Sequence, residues 1–345
     1  MSAEITTTGR GPDDPAHGKA RENALRSPVQ QVMALLQRSG VAAFVALALL
    51  VILGSILWPT FHSADNLRNT VLGISYIGIV AIGMTMVIIT GGIDLSVGSV
   101  FALGGVVAVW TNIHAGPVAA VIATIVVCGA VGLINGMLIG VAGMAPFIVT
   151  LASLFGIRGL VYQLTDAGAK TYSVPGDSAF ASLGNGTFLT LGIPIFITAA
   201  LYVGFHIMLE RTSLGLTTFA IGGGEDAAVL MGLKVRRSKV LLYMASAALA
   251  GVAGMLQASQ LVSASPIIAT GYELQAIAAV VIGGTLLTGG AGSLIGTGAG
   301  VLLLGTINAF IRYLQLDSTW NNVVSGAFLI TVVVIQRVVS YRRVD

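Results

Sequence analysis

Cysteine is almost missing from this chain. One thiol, Cys128, stands among 345 residues, which excludes a disulfide framework and any C-x-x-C pair for metal or redox chemistry. Charge is scarce as well: Asp, Glu, Lys and Arg make up 9% of the chain, where a soluble domain carries about 25%. Most of the chain must therefore lie where charge is costly. Histidine occurs only at His17, His62, His114 and His206. These show no metal-ligand spacing and no Ser/His/Asp set around them, so neither a metal site nor catalytic residues are expected. No G-x-x-x-x-G-K-[ST] phosphate loop is present, so that route to a nucleoside triphosphate is closed and no cofactor is expected in this chain. A secretory signal is missing too. The first apolar stretch begins near Val41, and residues 1–39 ahead of it, rich in Gly, Pro, Asp and Arg, read as a disordered cytoplasmic tail.

What fills the sequence instead is apolar: 55% of the residues are hydrophobic. A spanning helix takes about 20 of them. On that basis ten spans are expected, at 41–58, 70–90, 94–111, 117–140, 146–164, 191–209, 239–262, 272–287, 292–312 and 322–340. Residues 40–345 thus read as an all-α integral membrane domain. Basic residues orient it. With the amino terminus inside, Arg10, Lys19, Arg21, Arg26 and Arg38, then Arg211, Lys234, Arg236, Arg237 and Lys239 in the loop 210–239, then Arg337, Arg342 and Arg343 all face the cytoplasm. Those are 13 of the 17 Lys and Arg residues. Both termini are therefore expected inside, with 165–190 as the longest outer loop. The net charge of +3 follows from this topology, so nucleic acid is not an expected partner.

The stretch TGGIDLSVGSVFALGG at 90–105 puts a carboxylate between two spans, where insertion costs roughly 2.5–3.5 kcal/mol. Shifting the sequence by 179 residues lays GIDL (92–95) on GYEL (271–274) and ALGG (102–105) on VIGG (281–284). The paired spans run in opposite directions, so two inverted repeats are expected, about 70–164 and 249–340. Gly92 and Gly271 would turn the chain. Asp94, with Ser96, and Glu273 would then fall in first helical turns, whose free N–H groups favour an anion. Asp94 would lie at the inner side and Glu273 at the outer. Two uses stay open for them: helix caps, or the lining of a polar path. The same choice applies to Asn135, Gln163, Gln257, Gln260 and Asn308, which could bond between helices or contact solute hydroxyls. Gly104-Gly105 and Gly283-Gly284 could serve close packing or passage. The shift also carries Arg158 to Arg337, which suggests the ion pairs Asp94–Arg337 inside and Glu273–Arg158 outside.

In the loop 210–239, Gly222, Gly223 and Gly224 offer a flexible approach to a short helix. Glu225 and Asp226 place acid in its first turn. Ala227 and Ala228 keep one face shallow, Leu230 and Met231 supply apolar anchors, and Gly232 reverses the chain. An amphipathic helix of this kind suits a groove on another protein.

GGIDLSVGS, AIGGGEDAAVLMGLKV (220–235) and GYELQAIAAVVIGGTLLTGGAGSLIGT (271–297) resemble the permease subunits of ribose-type ABC sugar importers, in order and spacing, from about residue 65 to 340. LDSTWNN (316–322) and the IGGTLL run look most like permeases for furanoses, galactofuranose included. The wider superfamily also covers autoinducer-2 and branched-chain amino acids. The resemblance implies a bacterial inner-membrane protein with two permease subunits, identical or homologous, forming one path. It also implies two ATP-binding subunits that carry ATP and Mg, and a periplasmic sugar-binding protein. In that family the 223–232 segment is the coupling helix on the ATPase. Gly224 and Val229 stand where the family commonly has Asn and a basic residue. Outside that family, an ion-coupled secondary transporter would need its carboxylates at mid-membrane, and a purely structural subunit would need none.

Overall fold

The computed structural model describes residues 41–317 and part of 320–334. The tail at 1–39 and Arg337, Arg342 and Arg343 lie outside the described residues, and the span expected at 322–340 is described only in part. The chain is mostly helical. In order come α1 (Val41–Leu57), α2 (Ala64–Ile89), α3 (Val97–Gly140), α4 (Pro146–Leu164), α5 (Ala181–Asn185), α6 (Ile193–Arg211), α7 (Ser213–Gly223), α8 (Glu225–Leu230), α9 (Val235–Gln260), α10 (Tyr272–Ile282) and α11 (Leu294–Tyr313). Four two-residue strands accompany them. β1 (Tyr172–Ser173) pairs antiparallel with β4 (Ser263–Ala264), and β2 (Thr187–Phe188) with β3 (Leu191–Gly192).

Among the described residues six helices, α2, α3, α4, α6, α9 and α11, are long and apolar enough to cross a membrane. The chain is a multi-pass membrane protein. Ten separate spans are not what the helices alone display, for two physical reasons. First, the expected spans 94–111 and 117–140 are joined in α3. Its 44 residues would reach about 66 Å if straight, twice a bilayer core. Gly116 (φ 82°, ψ 176°) followed by Pro117 breaks it, and Cys128 Sγ lies 3.8 Å from the Val100 carbonyl. The element is therefore a helical hairpin. Second, α10 has 11 residues, roughly 16 Å, too short for the span expected at 272–287.

α2 is the centre of the bundle, with every residue from Ile74 to Ile89 buried. Ser63 caps its start by accepting from Asn66 N–H at 3.3 Å. α9 lies along both limbs of α3, and glycine makes that approach possible. A Cβ at Gly104 would overlap the Gly251 backbone, and one at Gly136 would come 2.7 Å from Val240 Cα. This is small-residue packing of the kind membrane helices use in place of a hydrophobic driving force. Gly283 packs in the same way on the Gly296 backbone of α11, so of the two readings for Gly104 and Gly283 the structure supports packing. α1 is held to α11 by Trp58, Phe61, Phe310 and Tyr313, whose ring centroids lie 5.1–5.4 Å apart across the two segments. α4 and α6 keep large apolar side chains outward, among them Phe155 and Val203, as lipid or a second subunit requires.

α6 separates two faces. At its start lies the loop face, residues 165–192, which β1 ties to β4 and which Ser259 Oγ ties to α9 by donating to the Phe180 carbonyl at 2.6 Å. At its end lies the α7–α8 face.

Candidate functional site

Two non-helical stretches enter the bundle from these opposite faces and meet at the opening turns of α3. The first, 90–96, leaves α2 at the α7–α8 face. Gly91 (φ 78°), rather than the expected Gly92, makes the turn; Gly92 instead gives room to the Tyr243 ring and hydroxyl. Asp94 is fully buried. It does not stand in the first turn as expected, because α3 starts at Val97 and Ser96 takes the cap position. Its carboxylate folds the approach instead: Oδ1 accepts from Ser96 N–H at 3.1 Å and from Ser96 Oγ at 2.5 Å. Oδ2 accepts from Ser246 Oγ of α9 at 2.9 Å. Asn135, on the other limb of the hairpin, donates to Ser96 Oγ and to Ser153 Oγ of α4, both at 3.2 Å. Thr150 Oγ1 donates to the Ile93 carbonyl at 3.2 Å. One carboxylate thus organises α3, α4 and α9 around non-helical backbone, which membrane depth tolerates only when protein satisfies it.

The second stretch, 265–271, descends from the loop face. Arg158 Nη1 of α4 donates to the Pro266 carbonyl at 2.7 Å and to the Ile268 carbonyl at 3.0 Å. Gly271 (φ 87°) then caps α10, so Glu273 does stand in a first turn. It follows the stretch that comes from the loop face, and its carboxylate lies directly on Gly98 of α3, where a Cβ would overlap it. Tyr272 packs edge-on against Phe101 at 5.2 Å and its hydroxyl accepts from Gln257 Nε2 at 3.4 Å. Beside it, Tyr76 donates to Gln260 Oε1 at 2.8 Å. Gln257 Oε1 and Glu273 Oε2 are both buried without a hydrogen-bond partner.

The expected pair Glu273–Arg158 is not a direct ion pair. No contact within 4.0 Å joins them among the described ion pairs, because the guanidinium is taken up by carbonyls that the non-helical chain leaves free. Asp94 has hydroxyl and amide donors, and its expected partner Arg337 lies outside the described residues. Of the other amides, Gln163 is exposed and Asn308 half-buried. Ser246, Ser153 and Tyr76 carry no motif; a serine in an apolar helix gives no sequence signal until its partner is seen.

On the α7–α8 face, Gly224 opens α8 and Gly232 (φ 77°) closes it as expected. Glu225 pairs with Lys239 Nζ at 2.6 Å and braces α8 on α9. Asp226, Ala227 and Gly223 are exposed. Ala228 is the correction here: it is fully buried against Ile221 and Val235 of this chain, so it cannot offer a shallow face to a partner. Outward stand Val229, Leu230 and Met231, with Leu230 87% exposed. Three adjacent apolar side chains thus stand bare on this face.

A profile of the family described as branched-chain amino acid transport system, permease component, matches residues 66–333. The chain is 40% identical over 295 residues to the ribose import permease of Bacillus subtilis, covering 85% of this chain and 91% of that one. To the ribose import permease of Escherichia coli K12 it is 36% identical, covering 85% and 92%. To the L-arabinose transport system permease of the same strain it is 36% identical over 294 residues, covering 85% and 89%. No solved structure matches it significantly.

Proposed function

This chain belongs to the family of permease components described for branched-chain amino acid transport systems, and from that premise we propose that it is the membrane permease subunit of an ATP-driven importer of a monosaccharide. The observation that carries the sugar reading is the identity of 36–40% to ribose and arabinose permeases along nearly their whole length. A ribose-like or furanose sugar would arrive on a periplasmic binding protein. ATP and Mg would be handled by ATP-binding subunits docked on the α7–α8 face, and a second permease, identical or homologous, would complete the path. The protein itself is a transporter subunit, not an enzyme.

The proposed topology has ten spans in a bacterial inner membrane, with both termini and the α7–α8 face cytoplasmic and the loop face periplasmic. It counts the two limbs of α3 separately and adds α1, the short α10 and the 322–340 segment. Two broken approaches entering from opposite faces, each bearing an acid ahead of or in a helix start, support inverted repeats at the 179-residue shift. The unpartnered acceptors Gln257 Oε1 and Glu273 Oε2 suit the hydroxyl donors of a sugar. A branched-chain amino acid is the second reading, favoured by the family description. Ion-coupled transport draws nothing from the depth of Asp94 and Glu273 alone, since family membership places the energy source on partners.

Two measurements test this. In proteoliposomes holding permease, ATP-binding subunits and binding protein, labelled ribose, arabinose or fructose should accumulate only with ATP inside the ATPase compartment; ion-driven uptake by the permease alone would overturn the proposal. Cysteines introduced as Asp177→Cys and Asp226→Cys, both at exposed positions, should label from opposite sides of the membrane. Labelling from one side removes the orientation.

A further inference from the structure

Three stretches of backbone meet on the α7–α8 face with no side chain between them. They are the end of α2 at Ile89–Gly91, the last turn of α7 at Gly222, and the turn at Thr288–Gly290 between α10 and α11. Gly290 N–H donates to the Ile89 carbonyl at 2.9 Å. A Cβ at Gly222 would overlap both atoms of that bond, Ile89 O and Gly290 N. A Cβ at Gly289 would come 2.9 Å from Gly91 N and 3.1 Å from Gly222 Cα. Gly91, Gly289 and Gly290 hold φ of 78°, 85° and 77°, values that side chains rarely adopt. The seam is therefore fixed in shape by glycine on all three strands. Gly204 of α6 is different: it is exposed and nothing lies within 4 Å of its Cβ position.

The seam's location gives it a use. Only Gly223 and Gly224 separate Gly222 from α8, whose end carries the bare apolar step Val229–Met231. Gly91 starts the approach that carries Asp94, and Gly290 ends the turn that follows the helix bearing Glu273. A backbone-on-backbone contact has no rotamers to absorb a displacement, so packed junctions of this kind pass movement on or break. We propose that Gly222 is a positioning residue for transport: it hands displacement of α8 to the 90–96 approach and to the turn between α10 and α11 at once, through the Gly290–Ile89 bond. This deepens the functional reading above and rests on it.

Two glycines supply the test. Gly222→Ala and Gly204→Ala permeases are reconstituted with ATP-binding subunits and binding protein, using a mixture of labelled D-ribose, L-arabinose and D-fructose as the probe, and sugar imported per ATP hydrolysed is compared. Gly222→Ala is expected to assemble and hydrolyse ATP while that ratio falls at least tenfold; Gly204→Ala should match wild type. Equal ratios for both variants and wild type, or equal losses in both, overturn the proposal. Wild type without ATP-dependent uptake overturns the functional reading and this inference with it. Should Gly222→Ala not insert, a Thr90→Cys permease decides: maleimide reactivity at this half-buried position is expected to change several-fold between nucleotide-free and ATP-trapped complexes. An unchanged rate counts against transmission through the seam.

Discussion

Asp94→Ala should yield little folded permease. The substitution strands three donors, Ser96 N–H, Ser96 Oγ and Ser246 Oγ, in a fully buried position. Each orphaned group costs about 1–3 kcal/mol, and even the low end of that sum is a large part of the roughly 5–15 kcal/mol that holds a domain folded. Asn135 loses its anchor as well, since the Ser96 hydroxyl it donates to is held by Asp94. Asp94→Asn keeps a carbonyl oxygen for Ser96 and offers an N–H to the Ser246 hydroxyl, so it should fold. Recovery by size exclusion and the thermal unfolding midpoint in detergent decide this. An Asp94→Ala protein that melts with wild type would show the network to be ornamental. Uptake by the Asn variant then separates the two uses left open for Asp94: transport retained means architecture, transport lost in a folded protein means the charge itself is needed on the path.

The frame of this site is legible in the sequence for a definite reason. A glycine ahead of an acid is a local instruction, and the breaks at Gly91 and Gly271 stand at or beside the expected turns, while that at Gly116 falls in the gap between the expected spans 94–111 and 117–140. Acid beside such a break also reads correctly as something the chain must accommodate. What does not read is the partner. Glu273 is expected near the outer side, but its repeat pattern does not show that its carboxylate rests on Gly98 of α3. Arg158 is matched to a carboxylate because counting charges overlooks carbonyls; non-helical backbone frees two of them, and the two hydrogens of one guanidinium nitrogen, Nη1, serve both. Ser246 stands 152 positions from Asp94 and is one hydroxyl in an apolar helix. Gly222 reads as flexible in GGG, yet it is the one glycine of the three pressed between Ile89 O and Gly290 N. Ala228 and Leu230 have the same helical environment in sequence; only the fold of α8 onto Ile221 and Val235 shows that the first turns inward and the second outward.

That direction determines the last prediction. Leu230→Asp should abolish most transport without affecting the permease itself. Leu230 is 87% exposed and Met231 66% exposed, so neither supports this chain's own core, and placing a carboxylate there costs the isolated permease almost nothing. Docked in a groove of an ATP-binding subunit, the same residue would be desolvated. Losing an apolar anchor at the centre of an interface costs about 2 kcal/mol or more, and an unpaired buried charge adds to that. Retention of the ATP-binding subunits on tagged permease should fall at least tenfold, which corresponds to about 1.4 kcal/mol, and uptake should fall with it. The detergent melting midpoint should stay at the wild-type value. Ala228→Trp provides the contrast: its side chain has no space beside Ile221 and Val235, so melting should drop before any docking step is reached. If Leu230→Asp retains its ATP-binding subunits and transports normally, α8 does not dock through its apolar step, and the contact surface must be sought among Asp226, Ala227 and the basic residues that open α9.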